Sequence, residues 1–403
     1  MSRARVRIAV VGGGGAMGRI TVRDLAETSG SEVDIVVADR DVAAARRATA
    51  GLGRRVRVAE VDATNRRSLT NALAGTHVLV NALHHDFNLR VMDAALATGS
   101  HYLDLGGLFH VTRRQLRRHK EFSRAGLLAL CGMGSAPGIV NVMARAGGER
   151  LDRVTAIHVA VGTVDHTAWS GAALLDTSYS IQTVLDEASQ PAAVFRAGRL
   201  AFVPPLSGAE GVDFPKPVGR QYPACTLHSE VATLPASFRH KGVRDVTFKI
   251  AFPGDLADRL RFVHGLGLTS TEPARIGRAT VAPRDVLLAL LATAPRPVAA
   301  GPLDQYEVLR VTLTGTRGGR TVTDVHDCHV TGMPSWGVGV DIDTGAPPSI
   351  VAQMLAAGTI KARGVLPPEQ VVPPVPFFRE LRRRGMIVRR KTVGARKAMG
   401  HGL

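Results

Sequence analysis

Cysteine is scarce: Cys131, Cys225 and Cys328 are the only three in 403 residues. They lie too far apart to suggest a disulfide framework or a zinc-finger spacing. Aromatic residues make up only 4% of the chain, so stacking platforms for nucleic-acid bases are few. The two tryptophans, Trp169 and Trp336, read as packing residues of a second domain. No apolar run approaches the roughly 18 residues that span a bilayer, so no membrane association is expected. The chain enters its first apolar strand within a few residues, leaving no room for a signal peptide. A reducing, cytoplasmic setting is the expectation. Acid is also in deficit: 34 Asp and Glu stand against 51 Lys and Arg, a formal net charge of +17. That balance invites a nucleic-acid reading. The excess, however, is Arg-rich and scattered over helix faces, densest in 113–120 and in a tail over 379–397. We expect solvated basic faces and no nucleic-acid partner, with a surface able to steer an anionic ligand.

What is present is a glycine-rich stretch around which the chain is organised. Val6, Ile8, Val10 and Val11 form a short β-branched run that ends in glycines, the pattern of a buried strand. Gly13, Gly15 and Gly18 fit G-x-G-x-x-G, and Arg19 to Thr28 carry helical periodicity. In such a motif the first glycine permits a tight turn. The second lets backbone approach a pyrophosphate, and the third lets the helix pack on the strand. Ala16 and Met17, within the motif, are further candidate contacts to the same ligand. A second strand, 33–38, ends at Asp39, about the 20-residue offset at which an acid hydrogen-bonds the ribose hydroxyls of NAD. Carboxylate repulsion of a 2′-phosphate favours NAD over NADP. Arg40 has two readings: stacking on adenine, or pairing with a 2′-phosphate.

Six strands alternate with helices through residue 131, predicting a doubly wound parallel sheet. Asp62, after the third strand, either touches the adenine edge or caps the next helix, 66–74. Asn81 and Ala82 end the fourth strand, and one continuous helix is predicted over 112–125. Ligands of such sheets bind beyond the carboxyl ends of the strands. That edge carries His84, His85 and Asn88, then Asp104 to Gly107, then Pro137 and Asn141. From Val154 the pattern changes to strands with few helices. The predicted fold is an N-terminal Rossmann domain (1–134), an α+β substrate-binding and dimerisation domain with a mostly antiparallel sheet (135–340), and C-terminal helices that return to the first domain before a basic tail (341–403).

Several short motifs together resemble one family. Besides Gly13-x-Gly15-x-x-Gly18, these are Tyr102-Leu103-Asp104-Leu105-Gly106-Gly107, Ala136-Pro137-Gly138-x-x-Asn141, Thr233-Leu234-Pro235, Phe252-Pro253-Gly254, and 344–369 with Thr344-Gly345 and Pro368-Glu369. In order and spacing they resemble the saccharopine dehydrogenase-like oxidoreductases, most closely the lysine 6-dehydrogenase branch. The resemblance implies an NAD(P)-dependent enzyme that interconverts an amine and an imine, working as a homodimer or larger oligomer. Where that branch has Arg-Tyr-Pro-Gly-His, this chain has Ala251-Phe252-Pro253-Gly254-Asp255. Ahead of Thr-Leu-Pro it has His228-Ser229-Glu230. A lost cation and gained acids point to a substrate with less carboxylate or more amine, amino-acid-like or polyamine-like.

Amine oxidation by a nicotinamide needs a group that deprotonates the ammonium and stabilises the iminium. Asp104 is the first candidate, against a reading as a loop brace, and Glu230 is the second, against an exposed surface acid. Tyr102 lines the pocket or packs in the core. His84 and His85 relay a proton or contact substrate, or form a solvated loop pair. Asn81, Asn88, Pro137 and Asn141 are candidate ribose or substrate contacts. His326-Asp327-Cys328-His329 alternates across a strand and so cannot converge on one ion; no metal site is expected. Three functions stay open: an amine dehydrogenase or imine reductase, a reductase that condenses an amine with a carbonyl, and a non-catalytic NAD sensor or scaffold.

Overall fold

The computed structural model describes residues 5–171, 175, 177, 179–295 and 297–397. The end of the basic tail, 398–403, lies outside them. The first sheet contains β1 (Val6–Val11), β2 (Val33–Asp39), β3 (Val56–Glu60), β4 (Val78–Asn81), β5 (His101–Asp104) and β6 (Leu128–Leu130). A seventh strand, Gly364–Leu366, joins β6 from far along the chain. The order is 364–366, β6, β5, β4, β1, β2, β3, and every pairing is parallel. The order reverses between β1 and β4, and the crevice beyond such a switch point binds ligand. Register aligns the strand ends: Val11 sits beside Ala38 and Asn81, and Asn81 beside Asp104.

The second sheet is built on β7 (Arg153–Asp165), which runs antiparallel to Gln305–Arg317 and parallel to Asp245–Ala251. The other neighbours on the main path, from Arg199–Val203 to Ile387–Lys397, pair antiparallel. Thus the mostly antiparallel sheet expected from sequence is present. Its far edge departs from expectation. Ile387–Lys397, read as part of a basic tail, is a strand paired with Arg320–Val330. The helix predicted over 112–125 is two, Leu108–Leu116 and His119–Arg124. Trp336 leaves its own domain to donate to Glu27 (3.0 Å), with Arg23 over its ring.

Helix Ile139–Gly148 joins the sheets. Ile139, Val140, Val142, Met143 and Ala144 are fully buried in a single core that also holds Ile8 and Val10 of the first sheet and Val159 and Leu309 of the second. Close backbone approach fixes helix α1 (Ala16–Thr28). A Cβ on Gly18 would collide with the Gly12 carbonyl, and one on Gly345 would press into Ile20. Gly345 belongs to helix Ile342–Ala356, whose Pro347 and Pro348 lie inside it. Thr21 Oγ1 donates to the Gly345 carbonyl at 2.7 Å.

The C-terminal segment is tied down by a buried ion pair. Arg384 Nε and Nη2 donate to the two oxygens of Asp24 at 2.6 and 2.8 Å, with both side chains almost fully buried. Removing one partner of such a pair leaves a buried charge uncompensated, at a cost of roughly 3–5 kcal/mol. Arg384→Ala is expected to lower the urea unfolding midpoint by that much stability. Arg384→Met with Asp24→Leu should restore most of it. A loss under about 1 kcal/mol in the single variant would show that the clamp contributes little.

Candidate active site

Two adjoining spaces open at the carboxyl edge of the parallel sheet. The first is a slot of about 200 Å³ between β1, β2 and β3, lined by Gly12, Asp39, Arg40, Asp62, Thr64 and Phe87 among others. Asp39 ends β2 and turns back on the glycine loop. Its Oδ2 accepts from Gly14 N at 2.9 Å, and its Oδ1 from Asp41 N at 3.0 Å. Gly14 is tight as well: a Cβ there would lie 2.8 Å from Ala45 N. Asp62 accepts from Thr64 N and Oγ1 at 2.8 and 2.7 Å, which holds its carboxyl below the usual range, with Arg40 adding to the effect. The α1 N-terminus has no side-chain cap, so its first amides face the loop. Glycine cradle, uncapped helix and ribose-side acid fit a dinucleotide.

The second space is a cavity of about 220 Å³ at the seam between the two sheets. Met17, Ala82, Leu83, His84, His85, Ser135, Ala136 and Pro137 line it from the nucleotide side. The opposite wall carries Tyr179, Glu187, His228, Phe248, Glu307, Asp341 and Asp343. Four carboxylates therefore face the cavity, and among the described lining residues there is no lysine or arginine.

Each buried acid is managed locally. Glu187, on helix Ile181–Ser189, accepts from Tyr179 Oη at 2.8 Å. His228 lies between Glu230, 2.9 Å from its Nδ1, and Glu187, 3.4 Å from its Nε2, and stacks on Phe248 with ring centroids 3.6 Å apart. Burial opposes charge on this imidazole, but Glu230 and Glu187 outweigh it and raise its pKa to about 10. Glu307 accepts from Thr163 Oγ1 at 2.7 Å. Burial, and then the neighbouring Glu307, push the Asp343 carboxyl well above its ordinary range.

Comparisons with known proteins accord with this arrangement. The saccharopine dehydrogenase NADP binding domain matches residues 8–130, and the saccharopine dehydrogenase C-terminal domain matches 134–386. The chain belongs to the saccharopine dehydrogenase family. One relative is a carboxyaminopropylagmatine dehydrogenase of a Synechocystis species, 24% identical, with 94% of this chain and 96% of the relative covered. Among solved structures, saccharopine dehydrogenase (L-Glu forming) from Saccharomyces cerevisiae aligns with a TM-score of 0.73 at 17% identity, covering 96% of this chain and all of that one. Homospermidine synthase from Legionella pneumophila, solved with NAD, aligns at 0.66 and 13% identity, covering 99% and 94%.

The family motifs occupy different places from those the sequence suggested. Met17, Ala82, His84, His85 and Pro137 line the cavity. Asp104 and Tyr102 do not. Tyr102 Oη donates to Asp104 Oδ2 at 2.8 Å, Gln115 Nε2 to the same oxygen at 2.5 Å, and Gly132 N to Oδ1 at 2.7 Å. Asn81 donates to Asn88 Oδ1 at 2.9 Å, and Asn88 to the Gly106 carbonyl at 3.1 Å, in the same buried knot. Asp104 is thus a brace beneath the loops at 106 and 132, its carboxyl raised by burial and lowered by its donors. Asn141 is likewise buried, donating to Glu369 Oε2 at 2.8 Å. Glu230 is fully buried, contrary to a surface reading, and meets the cavity through His228. The Ala251 to Gly254 segment lines a neighbouring depression instead. Glu187, Glu307 and Asp343 were not found from sequence, because each comes from a different element.

His228 has an unfolded value near 6.5 and a folded value of about 10. The stabilisation is therefore complete below about pH 6.5 and is lost as pH rises through about 10. Imidazole ¹⁵N spectra at about pH 8 are expected to show His228 as imidazolium, where an unperturbed histidine is neutral. A neutral signature there would contradict the clamp.

Proposed function

We propose that this chain is an NAD-dependent oxidoreductase of a C–N bond in a polyamine-like substrate. The observation that carries the proposal is the cavity wall: four acidic side chains against one imidazolium, His228, and no lysine or arginine among the described lining residues. A substrate with several carboxylates would meet like charge there, whereas an amine-rich chain would complete the charge balance. The names of the Synechocystis relative and the Legionella structural neighbour, a carboxyaminopropylagmatine dehydrogenase and a homospermidine synthase, support the same polyamine-like class.

A bound nicotinamide supplies the hydride acceptor or donor. The chain's own residues supply the rest. Glu187 is our catalytic base. His228 Nε2 stands 3.4 Å from it and the Tyr179 hydroxyl orients it. It takes the ammonium proton before the C–H bond breaks and then faces the developing iminium. Glu307 and Asp343 hold a second nitrogen of the substrate away from the reacting one. Asp104 and Tyr102 act as positioning residues, fixing the loops at 106 and 132. A reductase that condenses an amine with a carbonyl would use the same groups in the opposite direction. Asp39, held on the Gly14 amide, favours NAD because its carboxylate repels a 2′-phosphate. The homodimer implied by the resemblance belongs to the same reading, and sedimentation velocity decides it.

Nicotinamide absorbance should be followed with NAD or NADP and a panel of spermidine-like triamines, diamines, guanidino-amines, lysine and saccharopine. We expect turnover with polycationic amines and NAD. Glu187→Gln should lower kcat by about 10²–10⁴-fold with cofactor binding retained. Asp39→Ser should lower kcat/KM for NAD roughly tenfold, in line with one lost hydrogen bond to a charged group, and narrow the gap to NADP. Turnover confined to saccharopine, the carboxylate-rich member of the panel, would overturn the substrate class. Tight NAD binding without turnover of any amine would favour the sensor reading.

A further inference from the structure

Beside the cavity, two histidines and one aspartate from opposite domains converge. His84 and His85 follow β4 of the nucleotide domain, and Asp186 lies on helix Ile181–Ser189 across the seam. The Nε2 atoms of both histidines point at one oxygen, Asp186 Oδ2, from 3.8 Å for His84 and 3.6 Å for His85. All three donor atoms lie within 4.8 Å of one another. These separations are too long for hydrogen bonds. His84 Nε2 is buried and has no hydrogen-bond partner among the described residues. Zinc–ligand bonds of about 2.0–2.2 Å in a tetrahedral arrangement set donor atoms about 3.4 Å apart, a few tenths of an ångström closer than the two histidine–aspartate separations found here.

The outer contacts are those that prepare ligands. His84 Nδ1 lies 3.2 Å from Asp86 Oδ2 and 3.5 Å from Asp86 N; with Nδ1–H turned to the carboxylate, as in carboxylate–histidine metal sites, Nε2 is free to ligate. The other oxygen of Asp186 is occupied by Arg284 and by Gln190 Nε2 at 3.0 Å, so Oδ2 is the oxygen presented to the histidines. Arg284 donates also to the Thr269 carbonyl at 2.8 Å, which anchors it away from the histidine side. Its positive charge is also felt by Asp86, the acid beside the histidines. Two imidazoles and one carboxylate suit zinc, cobalt or nickel better than magnesium or calcium, which prefer oxygen alone.

We propose that His84 Nε2, His85 Nε2 and Asp186 Oδ2 bind one divalent transition-metal ion, clipping the nucleotide domain to the substrate domain beside the cavity. No metal is expected from sequence, where His84 and His85 read as substrate contacts and Asp186 is remote in the chain from both. The proposal does not depend on the identity of the amine substrate.

The test is titration of chelator-treated full-length protein with Co²⁺ alone, read by visible d–d absorption and calorimetry. We expect one equivalent per chain, a band of four- or five-coordinate intensity, and a rise in melting temperature that grows with Co²⁺ concentration. His84→Ala and His85→Ala should each weaken binding by at least 100-fold. Asp86→Asn, at an exposed side chain whose change leaves the fold intact, should weaken it about 10- to 100-fold as an outer contact. Circular dichroism confirms folding of each variant. Absence of saturable binding at micromolar Co²⁺, or undiminished one-to-one binding in both histidine variants, would overturn the site. Neither result bears on amine turnover, which is measured separately.

Discussion

Burying carboxylates at a seam between two sheets is the constraint on which this structure depends. An isolated buried carboxylate is costly unless it is paired, hydrogen-bonded or protonated. The chain uses all three remedies within one cavity. Glu187 and Glu230 share the imidazolium of His228. Glu187 and Glu307 also accept from the hydroxyls of Tyr179 and Thr163. For Asp343, burial and the charge of Glu307 disfavour the ionised form and raise the carboxyl well above its ordinary range. These devices reduce the cost without cancelling the charge, since no lysine or arginine lines the wall. Such a cavity is matched by a cation from outside, which is the physical reason to expect an amine rather than a carboxylate in it.

A second set of buried polar groups does something different. Asn81, Asn88, Tyr102, Asp104 and Gln115 form a connected knot under the strand ends, with donors and acceptors matched to one another and to the backbone at 106 and 132. Satisfied networks of this kind rigidify the elements they join. The knot fixes the loops that carry Pro137 and Gly106 to the cavity, while its own side chains stay out of it. Under the proposed function, scaffold and chemistry are served by different acids: a strand-end aspartate for one, a helix-borne glutamate for the other.

This division explains what the sequence could reveal. The nucleotide half was legible because its determinants are local. Gly13, Gly15 and Gly18 fall in one turn, and Asp39 follows at a set distance. The structure places Asp39 on the same loop. The acidic cavity was legible only in outline, through His228 and Glu230 standing where the family resemblance did not expect them. Glu187, Glu307 and Asp343 lie on a helix, a strand and a second helix far apart in the chain, and only the tertiary fold brings them together. Ile387–Lys397 was missed because its arginines and lysines read as a solvated tail, whereas an edge strand tolerates charge along its outer side. The start of helix Ile342–Ala356 was hidden by Pro347 and Pro348, which signal a break when read locally. Core packing overrides that signal here.

The same helix connects the two halves of the site. Asp343 and Thr344 face the cavity, and the next residue, Gly345, is the point at which this helix presses on Ile20 of α1. Thr344 Oγ1 reaches Ser135 Oγ at 3.2 Å, and Thr21 Oγ1 caps the Gly345 carbonyl. Within three residues the chain thus sets a cavity acid, a contact to the loop before Pro137, and the packing of the helix whose N-terminus opens on the glycine loop. Interiors are too closely packed for these to shift independently. A displacement of Asp343 by a bound amine is therefore felt at α1, and a ligand at the α1 N-terminus is felt at Asp343. The close approach allowed by a glycine at 345 is what makes the nucleotide site and the cavity one mechanical unit.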